Sequence, residues 1–151
     1  MNLQSWADNG WLRSHKTSPK EIAHLLYIVD RDLSDVGESI SPDWKFSIAY
    51  NAALRLCTML LYASGFRAEK NLQHYRTIQS LPVILWNRWE KDAEYLEACR
   101  KKRNIAEYDY IGGATEEDAI ELIMFVKNLR QNFITWFRKM NPKLLREWFE
   151  T

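Results

Sequence analysis

Helix-start signals divide this chain into segments, and the apolar residues within each segment recur every three or four positions. Residues 18–21 (Ser-Pro-Lys-Glu) combine an N-cap serine, a proline at the first helical position and a glutamate three residues after the cap. The pairs Ser41-Pro42 and Asn141-Pro142 repeat the cap and proline signal, and Thr115 precedes three acidic residues. These helix-start signals, together with the helical spacing of the apolar residues, predict an all-α fold.

Three long segments carry apolar stripes with helical spacing. The second segment is apolar on most of its sides, which predicts a helix buried at the centre of the domain. The third has a basic opposite face with Lys127, Arg130 and Lys139. The three stripes consist of Ile22, Leu25, Leu26, Val29, Leu33 and Val36; Phe46, Ile48, Tyr50, Ala52, Ala53, Cys57, Met59 and Leu60; and Leu122, Val126, Leu129, Phe133, Trp136 and Met140.

The segment between the second and third stripes is harder to divide. We expect a short helix over residues 68–80, broken before Pro82, and another over residues 83–108 whose inner face runs from Leu85 to Leu96. No window alternates with a period of two for long enough to indicate a strand. Four main helices with short connections predict an antiparallel bundle of four to five helices.

The same signals predict three regions along the chain. Residues 1–17, with Trp6 and Trp11, form an N-terminal arm, residues 18–140 form the helical bundle, and residues 141–151 form a short C-terminal helix. One side of that last helix is apolar. Apolar ends of this kind either pack onto their own domain or contact a second subunit. The apolar side consists of Leu144, Leu145, Trp148 and Phe149.

The charge balance limits the kinds of partner that the chain can have. It has 21 lysines and arginines against 20 acidic residues, which excludes a general nucleic-acid coat and requires any basic site to be local. The N-terminus lacks a signal-peptide pattern, and no apolar run is expected to reach the roughly 20 residues of a membrane span. Cys57 and Cys99 are expected to be buried, reduced thiols. We therefore predict a soluble, cytoplasmic protein.

One stretch concentrates the groups that can do chemistry. Residues 100–110 read Arg-Lys-Lys-Arg-Asn-Ile-Ala-Glu-Tyr-Asp-Tyr, with four consecutive cations in a chain of almost no net charge. Cations in the last turns of a helix interact favourably with its negative end, and a charge run is usually a solvated face. That interpretation accounts for Lys101 and Lys102 but not for the remaining polar groups.

The other polar groups of the stretch fall on one side of a continued helix. Asn104 and Tyr108 are four residues apart, and Arg103 and Tyr110 are seven apart. On a continued helix, both spacings place the two members of a pair close to each other. A guanidinium binds phosphate with two hydrogen bonds, an amide adapts its hydrogen bonds, and a phenol stacks and donates its hydroxyl. We predict that these four residues, with Lys102, form a ligand-binding patch.

Arg55 and the histidines are the other candidates. Arg55 is a charge within the apolar second helix, so it either pairs with an acid or faces the same patch, because burial without a partner is costly. The three histidines, His15, His24 and His74, show no metal-ligand spacing among themselves or with the cysteines, so neither a metal nor another cofactor is predicted. His24, just before the first stripe, is expected to have a structural role.

The pattern Arg-Asn-(three residues)-Tyr at residues 103–108 resembles the HEPN domain (higher eukaryotes and prokaryotes nucleotide-binding). Residues 49–55 (Ala-Tyr-Asn-Ala-Ala-Leu-Arg), residues 65–67 (Gly-Phe-Arg) and His74 add to this resemblance. It covers roughly residues 18–140, and the expected helix order also matches.

The resemblance implies a helical bundle with a nucleotide- or RNA-binding site. Active members of the family are metal-independent ribonucleases, many of them toxins, whose motif is an Arg, four to six intervening residues and a His, and two copies of this motif meet across a homodimer interface. A related toxin group has Arg, four residues, His, one residue and Tyr. Arg103 and Tyr110 match that pattern, but Tyr108 stands where the His belongs. A tyrosine with an ordinary pKa of about 10 is a poor base at neutral pH, which favours binding over catalysis.

Three hypotheses follow. The first is a nucleotide- or RNA-binding module, homodimeric and part of a toxin–antitoxin or defence system. The second is a ribonuclease toxin with Arg103 and Tyr108 as catalytic residues, His74 as a substitute base, and an antitoxin such as a nucleotidyltransferase as partner. The third is a structural interaction domain without a ligand. Seven Trp and seven Tyr also favour a homodimer, because these residues are enriched at interfaces.

Overall fold

Helices account for most of the described chain, which confirms the all-α fold class. The computed structural model describes residues 2–37, 40–104 and 113–148. The elements, in chain order, are α1 (Leu3–Asp8), β1 (Leu12–Ser14), α2 (Pro19–Asp35), α3 (Pro42–Ala63), β2 (Phe66–Ala68), α4 (Gln73–Leu85), a 3₁₀ turn (Asn87–Trp89), α5 (Glu90–Asn104), α6 (Glu116–Met140) and a second 3₁₀ turn (Pro142–Leu145).

The helix α3 lies at the centre of the bundle, as its apolar composition predicts. It contacts α2, α4, α5 and α6, and eleven of its residues are buried. Contrary to the sequence-based expectation, α3 is long and apolar enough to span a membrane. Burial among the other helices accounts for that composition, because a helix surrounded on all sides needs no polar face.

Polar contacts fix how the helices run relative to one another. The Oδ1 atom of Asp43 accepts a hydrogen bond from the backbone N–H of Ala114 at 3.0 Å, and the Nζ atom of Lys45 lies 2.8 Å from Oε1 of Glu116. The helices α3 and α6 therefore begin at the same end of the bundle and run in the same direction, so the predicted antiparallel arrangement is wrong for this pair. The helix α2 runs the other way, since it joins the start of α3 through a short connection.

Serine and threonine caps begin the helices where the sequence predicts them. The side chains of Ser18 and Ser41 accept hydrogen bonds from backbone N–H groups in the first turns of α2 and α3. The start of α6 has a full capping box, in which Thr115 and Asp118 each accept a bond of 3.0 Å from the other's backbone N–H.

The predicted boundaries between the second stripe and α5 are wrong. The helix α4 begins at Gln73 and continues through Pro82 to Leu85. Pro82 removes one backbone donor, but burial of Leu81 and Leu85 against the core keeps the helix going for one more turn. The break comes at Trp86, whose φ of 123° is incompatible with a right-handed helix, so α5 starts at Glu90 and not at residue 83.

Two short strands were not expected. Leu12–Ser14 and Phe66–Ala68 pair in antiparallel fashion, and three residues are too few for a period of two to be visible in the sequence. The inner face of the strands packs with Trp6 of the arm onto Leu61 of α3. The N-terminal arm therefore lies on its own domain. The cluster that holds the arm consists of Trp6, Leu12, Leu61 and Ala68.

Within the described residues, the C-terminal end forms only a 3₁₀ turn (Pro142–Leu145) and not the longer α-helix that was predicted. Leu145 is buried and Trp148 packs partly against the core, whereas Phe149 lies outside the described residues. Met140 was expected on the inner stripe of α6 but is 62% exposed, because α6 ends there and the chain turns away. The side chain of Asn141 makes no capping hydrogen bond.

Both cysteines are buried and neither forms a disulfide, as predicted. Cys57 lies in the centre of α3, and Cys99 lies on the inner side of α5. Burial raises the pKa of Cys57 to about 12 and that of Cys99 to about 11. Thiols with such pKa values are almost wholly protonated at neutral pH, which makes them poor nucleophiles.

Candidate functional site

The charge run at the end of α5 divides over different sides of the helix. Ala93 and Leu96 are buried, and positions 100 and 103 continue the same stripe at spacings of four and three. Arg100 and Arg103 thus occupy the side of α5 that faces the rest of the bundle. Lys101, by contrast, is exposed.

Lys102 faces α6 and has a structural contact there. Its Nζ atom lies 3.2 Å from Oδ2 of Asp118, the carboxylate that also closes the capping box of α6. The pKa of Asp118 lies below its ordinary value, chiefly because of the backbone hydrogen bond at Thr115, with a further contribution from Lys102. Lys102 thus links the end of α5 to the start of α6, whereas Lys101 is a solvated cation.

Arg103 lies over a buried aromatic ring of α3. The central carbon of its guanidinium is 5.5 Å from the ring centroid of Tyr50, within the range of a cation–π contact. Tyr50 is fully buried, and its hydroxyl has no hydrogen-bond partner in the part of the chain that the structure describes. Burial raises the pKa of Tyr50 above its ordinary value, although Arg100 and Arg103 act in the opposite direction. Tyr50 is therefore a neutral phenol beneath the two arginines.

His74 lies close to the same two arginines. It is the second residue of α4 and is exposed, and its pKa is lowered first by desolvation from neighbouring protein atoms and then by the charges of Arg103 and Arg100. Both arginines therefore act on His74 and on Tyr50, although the three segments are far apart in sequence. We call these four residues (Tyr50, His74, Arg100 and Arg103) the arginine–histidine cluster.

One carboxylate adjoins the cluster. Glu97 forms an ion pair with Arg100 one turn away on α5, and it also acts on the pKa of Tyr50. Neither Arg100 nor Tyr50 was among the candidate site residues, although Tyr50 stands within residues 49–55. The signal that would have found Arg100 is its position in the stripe of α5, where an apolar residue is expected.

The remaining candidates lie at various distances from the cluster. Asn104 follows Arg103 directly and is half-buried. Arg55 lies about 140° around α3 from Tyr50 and is not among the charges that shift the pKa of Tyr50 or His74. Tyr108 and Tyr110 lie outside the described residues.

The other two histidines lie elsewhere. His15 pairs with Glu21 at 2.6 Å and stacks on Tyr62 with 4.0 Å between ring centroids, which ties the arm to α2 and α3. His24 is exposed on α2 and lines a groove next to Trp148, so it is not a core residue. No group of three histidine, cysteine or acidic side chains comes together as a metal site within the described ranges.

Comparison with known proteins adds no family to this description. No family model, curated protein or solved structure matches the chain. Any assignment of function therefore depends on the fold and on the arginine–histidine cluster.

Proposed function

We propose that this chain is a HEPN-like module, cytoplasmic and homodimeric, that binds the phosphate groups of RNA or of a nucleotide at the arginine–histidine cluster. The observation that carries the proposal is the inward position of Arg100 and Arg103 on α5, with Arg103 over the ring of Tyr50 and both charges within electrostatic range of His74. Arginine is the residue best suited to bind a phosphate with paired hydrogen bonds. The ring of Tyr50 supports the guanidinium of Arg103 from below.

The charges of the cluster favour an anionic ligand over a purely structural role. Two arginines repel the protonated form of His74, and Glu97 is the carboxylate that pairs with Arg100. A bound phosphate would reduce that repulsion. If the domain is structural and has no ligand, the contact of Arg103 with Tyr50 serves to hold α5 on α3, and Arg103→Ala lowers stability without affecting any binding.

A metal-independent ribonuclease is the second candidate, and the position of His74 favours it. Because its pKa is lowered from an ordinary value of about 6.5, His74 is neutral at pH 7 and can accept a proton. It would take the proton of the ribose 2′-hydroxyl as the 2′-oxygen bonds to phosphorus and the bond from phosphorus to the 5′-oxygen breaks. The 5′-oxygen would take a proton from water, and Arg103 would stabilise the phosphate charge. The rate would rise with pH through the lowered pKa of His74. In this case the chain is a toxin, with an antitoxin such as a nucleotidyltransferase as partner.

Incubation with a mixed, labelled RNA pool in EDTA separates these functions. The binding module is expected to retain RNA without cutting it, with affinity that falls as salt rises. The ribonuclease is expected to cut RNA, and both Arg103→Ala and His74→Ala would abolish the cutting, whereas Tyr108→Phe tests whether that phenol takes part. If the wild-type protein neither binds nor cuts RNA or nucleotides, the structural hypothesis is the one that stands.

Dimer formation is a separate part of the proposal. Sedimentation at micromolar concentration is expected to give twice the 18.0 kDa mass of one chain. A monomer at that concentration would remove the idea of a site shared between two copies, but it would leave phosphate binding by a single copy open to test.

A further inference from the structure

Two arginines lie directly opposite each other on the small antiparallel ladder. Arg13 on β1 pairs in register with Arg67 on β2, and both side chains are exposed on the outer face. The neighbouring pair, Leu12 with Ala68, is buried on the inner face. Like charges directly opposite in a ladder are unfavourable, so this pair does not serve the stability of the fold. Glu69 forms an ion pair with Arg13 and offsets the repulsion only in part.

Further cations flank the two strands and form a wider basic surface with them. Residues 11–17 and 65–76 hold five lysines and arginines against the single acid Glu69, in a chain whose net charge is only +1. Four of these five cations are exposed. Charge of one sign concentrated in this way points to a polyanionic partner. The five cations are Arg13, Lys16, Arg67, Lys70 and Arg76.

Two aromatic side chains accompany these cations. The guanidinium carbon of Arg76 lies 3.9 Å from the ring centroid of Trp11, which is partly buried, and Tyr75, the residue before Arg76, is 39% exposed. His74 comes directly before Tyr75 on α4 and belongs to the arginine–histidine cluster. The basic surface and the cluster therefore meet at the first turn of α4.

We propose that the ladder pair Arg13 and Arg67, with Lys70 and Arg76, binds the backbone of a single-stranded RNA that continues into the arginine–histidine cluster. This inference rests on the proposed function, since it extends the ligand of that site beyond one nucleotide. Cations beside an exposed aromatic ring suit a single strand, because the cations contact phosphates while a base stacks on the ring, here that of Tyr75. An anionic membrane offers the same negative charge but no bases to stack, so RNA fits the surface better.

The test compares single-stranded RNAs of about 4 and about 16 nucleotides, the span of site sizes known for single-strand binding folds. Arg13→Gln/Arg67→Gln is expected to weaken binding of the longer RNA about tenfold and to leave the shorter one unchanged. The slope of log affinity against log salt should fall by about 1.4, since each lost phosphate contact with a single strand contributes roughly 0.7. Arg67→Gln alone keeps the pair of Arg13 with Glu69 and should give about half of that change in slope.

Lys127→Gln/Lys139→Gln is the matched control, because it removes two exposed charges of α6 far from the ladder in sequence. Equal weakening by this control, or no effect of the ladder variants on the longer RNA, would overturn the inference. Tighter binding to phosphatidylserine vesicles than to RNA, dependent on Arg13 and Arg67, would overturn it in favour of a membrane. Arg103→Ala separates the two proposals: if it leaves both RNAs bound while the ladder variant weakens the longer one, the proposed site fails and the ladder surface stands.

Discussion

The Arg103→Ala variant is expected to bind RNA about 10- to 100-fold more weakly than the wild-type protein. Hydrogen bonds to a charged group contribute about 1.5–3 kcal/mol, and about 1.4 kcal/mol corresponds to a factor of ten in affinity. The loss should be the same for short and long RNAs, because the arginine–histidine cluster binds the part that both share. Fluorescence anisotropy with a labelled RNA measures it.

The same variant gives a second readout at His74. Removing Arg103 removes one of the two charges that lower the pKa of His74, so this pKa should rise towards its ordinary value of about 6.5. Lys101→Ala is the matched control, since it deletes an exposed cation two residues away on α5. Equal loss of affinity in the control would show that general charge, and not the cluster, binds the RNA.

Phe133→Ala is expected to lower the free energy of unfolding by about 3–5 kcal/mol, the range for removing a buried phenylalanine side chain. Phe133 is 1% exposed in the C-terminal half of α6, and its ring centroid lies 6.1 Å from that of Trp89. Trp89 directly precedes α5, the helix that carries both arginines of the cluster. Denaturant unfolding followed by circular dichroism measures the change.

Met124→Ala on the same helix is the control for this prediction. Met124 is 61% exposed, so its replacement should change the free energy of unfolding by no more than about 0.5 kcal/mol. Similar losses in the two variants would mean that the interior assigned to α6 is incorrect, and with it the placement of α5.

The parts of the fold that the sequence predicts best are those with strong local signals. The starts of α2, α3 and α6 follow from Ser18, Ser41 and Thr115, because a cap bonds only to the first turn of its own helix. Local patterns also have a limit. The glutamate three residues after Ser18 suggests a capping box, but its carboxylate bonds to His15 and Thr17, a choice that depends on where the arm docks.

Features set by contacts between distant segments were beyond sequence reasoning. The end of α4 depends on a left-handed φ at Trp86, a residue type that gives no sign of such a conformation. The ladder of β1 and β2 depends on the arm returning to the end of α3. In the candidate site, Arg103 and His74 were predicted separately, whereas the part played by Arg100 and Tyr50 appears only once α3, α4 and α5 are packed together.

The central claim is that a phosphate binds between the arginines of α5 and His74. The most direct test is a titration with an RNA of about 4 nucleotides, followed by NMR of the arginine Nε–H groups and the histidine rings. The account predicts that the signals of Arg100, Arg103 and His74 shift together and saturate at one common ligand concentration. Saturable binding that leaves these three signals in place and shifts others would contradict it.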